Sequence, residues 1–108
     1  MMPYRNQKLR DFAQDCPSCM GCRSHNTEGQ MLVLAHSNEL KDGKGTAIKA
    51  HDIPCYLDLD CHNVVDGKSE IHLTAKERNY LRLLATYDSI LWLLETGRLV
   101  VGNPPYKD

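Results

Sequence analysis

Hydrophobic positions mark six segments along the chain. Between Asn6 and Asp15, Leu9, Phe12 and Ala13 recur at spacings of three and four, with Lys8, Arg10 and Asp11 on the other side. That is a short helix, and Pro17 stops it. Met31–His36 carries the apolar run Leu32, Val33 and Leu34, a first strand. Ile53–Leu59 is a second strand, and Pro54 places it at an edge or at a strand start. Cys61–Val65 opens a short helix that Asp66-Gly67 closes. The last third is the clearest element. Thr74 and Glu77 form a capping box. Leu81, Leu84, Tyr87 or Asp88, Leu91 and Leu94 then follow a helical stripe to Thr96, with Gly97 as a left-handed stop. Ile90–Leu94 is apolar nearly all round, which predicts deep packing. Arg98–Val101 reads as a further short strand before Asn103-Pro104-Pro105 ends regular structure.

The segments between are polar or punctuated. CPSCMGC is too dense in Cys and Gly for a regular element and reads as a knuckle. His25–Gln30 is turn-like, and Ser37–Lys49 is a loop holding Gly43 and Gly45. There is no repeat, low-complexity run or linker. One domain over 1–108 is expected, α+β in class, with a knuckle and strand–strand–helix unit over 16–67 and a packing helix over 74–97.

Composition narrows the function classes. Of 108 residues, 42% are hydrophobic and 25% charged, which is ordinary for a folded domain. The net charge of −1 excludes a uniformly basic nucleic-acid coat. No apolar run approaches the ~20 residues of a membrane span. MMPYRNQKLRDF lacks the apolar centre of a secretory signal. The five Cys and five His all fall between Cys16 and His72. An odd Cys count without an export signal points to metal rather than disulfides.

Zn²⁺ takes thiolates in a tetrahedron, usually from two short-spaced pairs. Cys19-x2-Cys22 is the first pair, with Gly21 in its turn. Cys61 belongs to the second, and Asp58 stands three residues upstream where a matching Cys would be. The fourth ligand is therefore Asp58, Cys55 or Cys16. Cys55 also suits core burial on its strand, and Cys16 a spare thiol. His62, next to Cys61, is a further zinc-ligand alternative. His25 and His72 read as solvated.

A second set is made of His36, at the end of an apolar strand, and His62, at the start of a helix. Strand–loop–strand–helix with two His is the outline of a ββα-metal nuclease site. There one His deprotonates a water and a divalent ion stabilises the phosphorane. Lys41, Lys44 and Lys49, in the loop between them, could track a phosphate backbone or simply be solvated. Charge is uneven. Residues 1–25 hold four basic and two acidic side chains, and 52–70 hold five acidic and one basic. The acidic stretch suits a divalent cation.

AHSNELKDGKGTAIKAHD, with Cys61-His62 ten residues past His51, resembles a family of small phage and prophage nucleases of the HNH, or His-Me finger, type. PYRNQKLRDFA, the Cys19–Cys22 pair and WLLETGRL extend the resemblance over nearly the whole chain. It implies a ββα-metal finger on a zinc knuckle that acts on DNA in the cytoplasm of a bacterial host. It gives His36 the general-base position and His62 that of catalytic-metal ligand, the metal being Mg²⁺ or Mn²⁺. His51 and Asp52 fall at the middle position. Two departures stand out. Asp58 stands where relatives have a Cys of C-x2-C-H, so one zinc thiolate is replaced or shifted, and Ala35 replaces the acid that often precedes the first His, so either Asp52, Asp58 or Asp60 supplies it or the metal is bound weakly.

The expectation is thus a metal-dependent endonuclease. The alternative is a non-catalytic zinc module that binds DNA or a protein partner. A redox role for the overlapping Cys pairs lacks the βαβ setting it needs. Monomer and homodimer both remain open.

Overall fold

A computed structural model describes residues 4–26, 32–36 and 51–102. The described residues form a small α+β domain with three α-helices and a two-stranded sheet. Helix α1 spans Gln7–Asp11 and continues as a 3-10 turn over Phe12–Gln14. Asn6 caps it, its side chain accepting from Leu9 N–H. Strands β1 (Val33–Leu34) and β2 (Tyr56–Leu57) pair antiparallel, with Val33 opposite Leu57 and Leu34 opposite Tyr56. Helix α2 spans Leu59–Asp66 and α3 spans Ala75–Glu95.

Both strands are shorter than the apolar runs. Pro54 has no N–H to give a ladder. At the other end Asp58 leaves the strand to cap α2, so Leu59 and Asp60 are helical and α2 begins two residues before Cys61. Gly67 closes α2 at φ 74, a conformation that costs glycine nothing. The capping box of α3 is present, with Thr74 and Glu77 exchanging hydrogen bonds.

Two expectations fail. Arg98–Val101 is not a strand. After Gly97, at φ 74, the N–H groups of Arg98 and Leu99 both turn back to Leu93 C=O. They close the helix end and leave no ladder to join. The stripe on α3 is also not the core face. Ala85, Ser89 and Leu93 are buried, whereas Leu81, Leu84, Tyr87, Leu91 and Leu94 are exposed. The reason is closeness of approach: small residues let α3 sit directly on β2. Ser89 Oγ accepts from Tyr56 N–H at 3.0 Å and donates to Ala85 C=O at 2.7 Å. The deep packing expected of Ile90–Leu94 holds for Leu93 alone; Leu91 and Leu94 face outward.

The core lies between α3, the sheet and the knuckle, built from Leu32, Leu34, Tyr56, Leu57, Met20, Val65 and Leu93. Tyr56 meets Trp92 edge to face at 5.9 Å, a favoured aromatic geometry. Tyr56 Oη donates to Leu9 C=O, which draws α1 against the sheet. Arg98 lies over Trp92 and Phe12, joining the end of α3 to the 3-10 turn. No helix among the described residues is long and apolar enough to cross a membrane.

Ser89→Ala should leave Tyr56 N–H buried without an acceptor. The expected loss is about 1–3 kcal/mol, read as a lower urea midpoint at unchanged slope.

Candidate metal centre and histidine site

The knuckle brings the first two thiols together. Ser18 and His25 form an antiparallel bridge. Inside it Cys19 N–H donates to Ser24 C=O and Arg23 N–H to Cys19 C=O. Arg23 takes φ 68 to complete the turn. Met20 N–H donates to Tyr56 C=O, so the knuckle is stitched to β2. Gly21 is where the turn meets α2. A Cβ there would lie 3.0 Å from Cys61 Sγ and 3.2 Å from Leu57 Cδ2.

Cys19, Cys22, Asp58 and Cys61 converge, with their ligand atoms all within 4.8 Å of one another. Thiolates around one zinc at ~2.3 Å would stand roughly 3.8 Å apart, so a small contraction closes the set. The cluster could hold a metal ion such as zinc. Its surroundings suit charged sulfur: Cys19 Sγ accepts from Gly21 N–H at 3.3 Å and from Asp58 N–H at 3.4 Å. Asp58 divides its carboxylate. Oδ1 accepts from Cys61 N–H at 2.8 Å as the α2 cap, and Oδ2 lies 3.2 Å from Cys22 Sγ. Burial acts to raise the Asp58 carboxyl, but the bonds from Cys61 N–H and the neighbouring thiols outweigh it and hold it below the usual range. Cys61 goes the other way. Burial, then the crowding of Cys19, Cys22 and Asp58, pushes its thiol up. A bound cation reverses that balance.

The other fourth-ligand candidates point elsewhere. Cys55 Sγ faces Arg82 C=O, and burial pushes its thiol up to about 11. Cys16 Sγ faces Ser18 C=O, and burial raises it as well. Both pack as small apolar side chains. His62 is not in the cluster; its Nε2 lies 3.5 Å from Asp66 Oδ2, one turn along α2.

The second site joins β1 to the stretch before β2. His36 Nε2 lies 2.8 Å from Asp52 Oδ1. Asp52 is fully buried, yet every side of its carboxylate is met. Arg5 Nη1 approaches Oδ1 at 3.2 Å, Arg10 Nε approaches Oδ2 at 3.3 Å, and Asn6 N–H donates to Oδ2 at 2.8 Å. Burial works to raise this carboxyl, but the bonds from His36 and Asn6 and the Arg10 charge overcome it and hold it low. His51 is tied differently, its Nδ1 accepting from Tyr4 N–H at 2.7 Å. With Nε2–H given to Asp52, His36 keeps the Nδ1 lone pair. A carboxylate-oriented imidazole can take a proton from water.

His36 and Asp52 are therefore brought together, while His51 and His62 have their own partners. Among the described residues, no group of three or more His, Cys, Asp or Glu side chains that could share an ion includes His36 or His62. Lys41, Lys44 and Lys49 lie outside the described residues. Arg5 and Arg10 were missed in the sequence. Their only signal was the basic N-terminal segment facing an acidic one.

Compared with family models, with characterised proteins and with solved structures, the chain matches none.

Elemental analysis should find about one zinc per chain, and chelation should lower the melting temperature. Cys61→Ala should lose the metal, whereas Cys55→Ala and Cys16→Ala should keep it. Gly21→Ala should weaken it by crowding Cys61. Acid should act through Asp52 as well. Because its folded pKa is depressed, its stabilisation is present above about pH 4 and fades as pH falls through the lower folded value. Asp52→Asn should be less stable at neutral pH and lose less on acidification, measured by urea unfolding at a series of pH values.

Proposed function

We propose that the protein is a small endonuclease that hydrolyses phosphodiester bonds in DNA, on a scaffold held by a zinc knuckle. The observation that carries this reading is the His36–Asp52 pair: a one-third-exposed imidazole held through Nε2 by a fully buried carboxylate. His36 is the general base, taking a proton at Nδ1 from the attacking water. Asp52 is a positioning residue. It fixes the ring and stabilises the imidazolium that forms, while Arg5 and Arg10 keep it ionised. The chain order β1, β2, α2, with His36 just after β1 and His62 on α2, supports a ββα-metal finger. So does the resemblance carried by AHSN, DGKG and IKAHD. Cys19, Cys22, Asp58 and Cys61 would hold the structural zinc, which sets α2 against the knuckle. A divalent ion such as Mg²⁺ or Mn²⁺ supplies charge stabilisation at the phosphorane in such enzymes. Among the described residues no group of possible ligands that could share this ion includes His36 or His62, so no step is drawn through it.

A non-catalytic zinc module that binds DNA or a protein partner is the second reading. It is favoured by Ala35 standing directly before His36 and by the lack of that donor group.

Plasmid nicking with Mg²⁺ or Mn²⁺ separates the two. Wild type should nick, and His36→Ala should lose about 10²–10⁴-fold in rate with zinc content and folding unchanged. An inactive wild type that still binds DNA, with binding unaffected by His36→Ala, would establish the module instead.

A further inference from the structure

The outward face of α3 has a regular pattern. Tyr80, Leu84, Tyr87, Leu91 and Leu94 follow spacings of four, three, four and three, the repeat of a coiled-coil seam. All five are exposed, Tyr87 the most at 67%. Leu81 and Leu83 widen the strip and are exposed too. The opposite face, with Ala85, Ser89 and Leu93, is already used against β2. The strip exposes on the order of 600 Å² of largely apolar surface, against about 800 Å² per partner in a standard interface. An apolar patch of that size marks an interaction site.

Charge says what fits it. The first turn of α3 carries Lys76 and Arg78 against Glu77, and its last turn carries Glu95 and no basic residue, while Asp88 is already paired with Arg23 of the knuckle. Each end thus bears the sign that its own helix dipole disfavours. A second α3 laid antiparallel brings an acidic last turn beside each basic first turn and a dipole of opposite sense beside each end. The seam is self-complementary in that direction. With the two-fold between residues 84 and 87, Leu84 meets Tyr87 of the second copy and Tyr80 meets its Leu91. We propose that two copies of the chain associate through α3 as an antiparallel, two-fold helix pair. This does not depend on the nuclease reading.

The test is sedimentation equilibrium of the intact, metal-loaded protein across about 1–300 µM, where a dimer's population follows concentration. Wild type should approach twice its 12.3 kDa mass. Leu84→Glu and Tyr87→Glu should weaken association at least about tenfold with circular dichroism and zinc content unchanged, since both positions are exposed in the single chain. A wild type that stays at monomer mass throughout overturns the proposal, as does a dimer that both variants leave intact. Direction is read by photo-cross-linking from benzoylphenylalanine at position 80. Cross-links between chains to residues 87–91 support the antiparallel pair. Links from position 80 to position 80 overturn it, and so do links found only within one chain, since α3 is then covered by its own chain.

Discussion

One carboxylate holds the middle of this protein together. Asp58 ends β2, caps α2 through Oδ1 and turns Oδ2 toward Cys22. Its own N–H points at Cys19 Sγ. Strand, helix and knuckle therefore meet at a single residue. The geometry that starts α2 also delivers Cys61 to the cluster three residues later. A Cys at position 58 would offer one sulfur and no second atom to cap the helix. An aspartate at this place in the cluster gives up a thiolate and starts a helix.

The histidine site depends on this frame indirectly. β2 is fixed to the knuckle through Met20 and to α3 through Ser89. The stretch just before it, with Asp52, is held at a set distance from β1. Asp52 can then serve two ends at once, orienting His36 and gathering Arg5, Asn6 and Arg10. Burying a carboxylate is costly unless it is paired and hydrogen-bonded. Here the four donors come from two segments far apart in sequence, so its charge is a tertiary lock as well as a positioning device.

Local chemistry was legible in the sequence where a short motif decides it. The capping box at Thr74, the stops at Gly67 and Gly97, and the Cys19-x2-Cys22 turn each depend on residues a few positions apart. Asp58 was legible as one of three candidates, because spacing alone cannot say which way Cys16 and Cys55 point. The face of α3 was misread for a physical reason. Bulk along a stripe predicts burial, but close helix–sheet contact selects small residues, and Ala85 and Ser89 add no bulk to mark their face. Arg5 and Arg10 were legible only as part of a basic segment, since their partner lies more than forty positions away and no periodicity links them.

That separation has a consequence for how the chain is built. Helix α1 buries no residue of its own and is very short, far below the ~12–15 residues at which isolated helices begin to persist. What holds it is Asp52 at Asn6 N–H and Tyr56 at Leu9 C=O, 46 and 47 positions downstream. Translation runs from N- to C-terminus, so α1 is made more than forty residues before Asp52 and Tyr56. It gains these two contacts only once the stretch that ends in β2 has followed it.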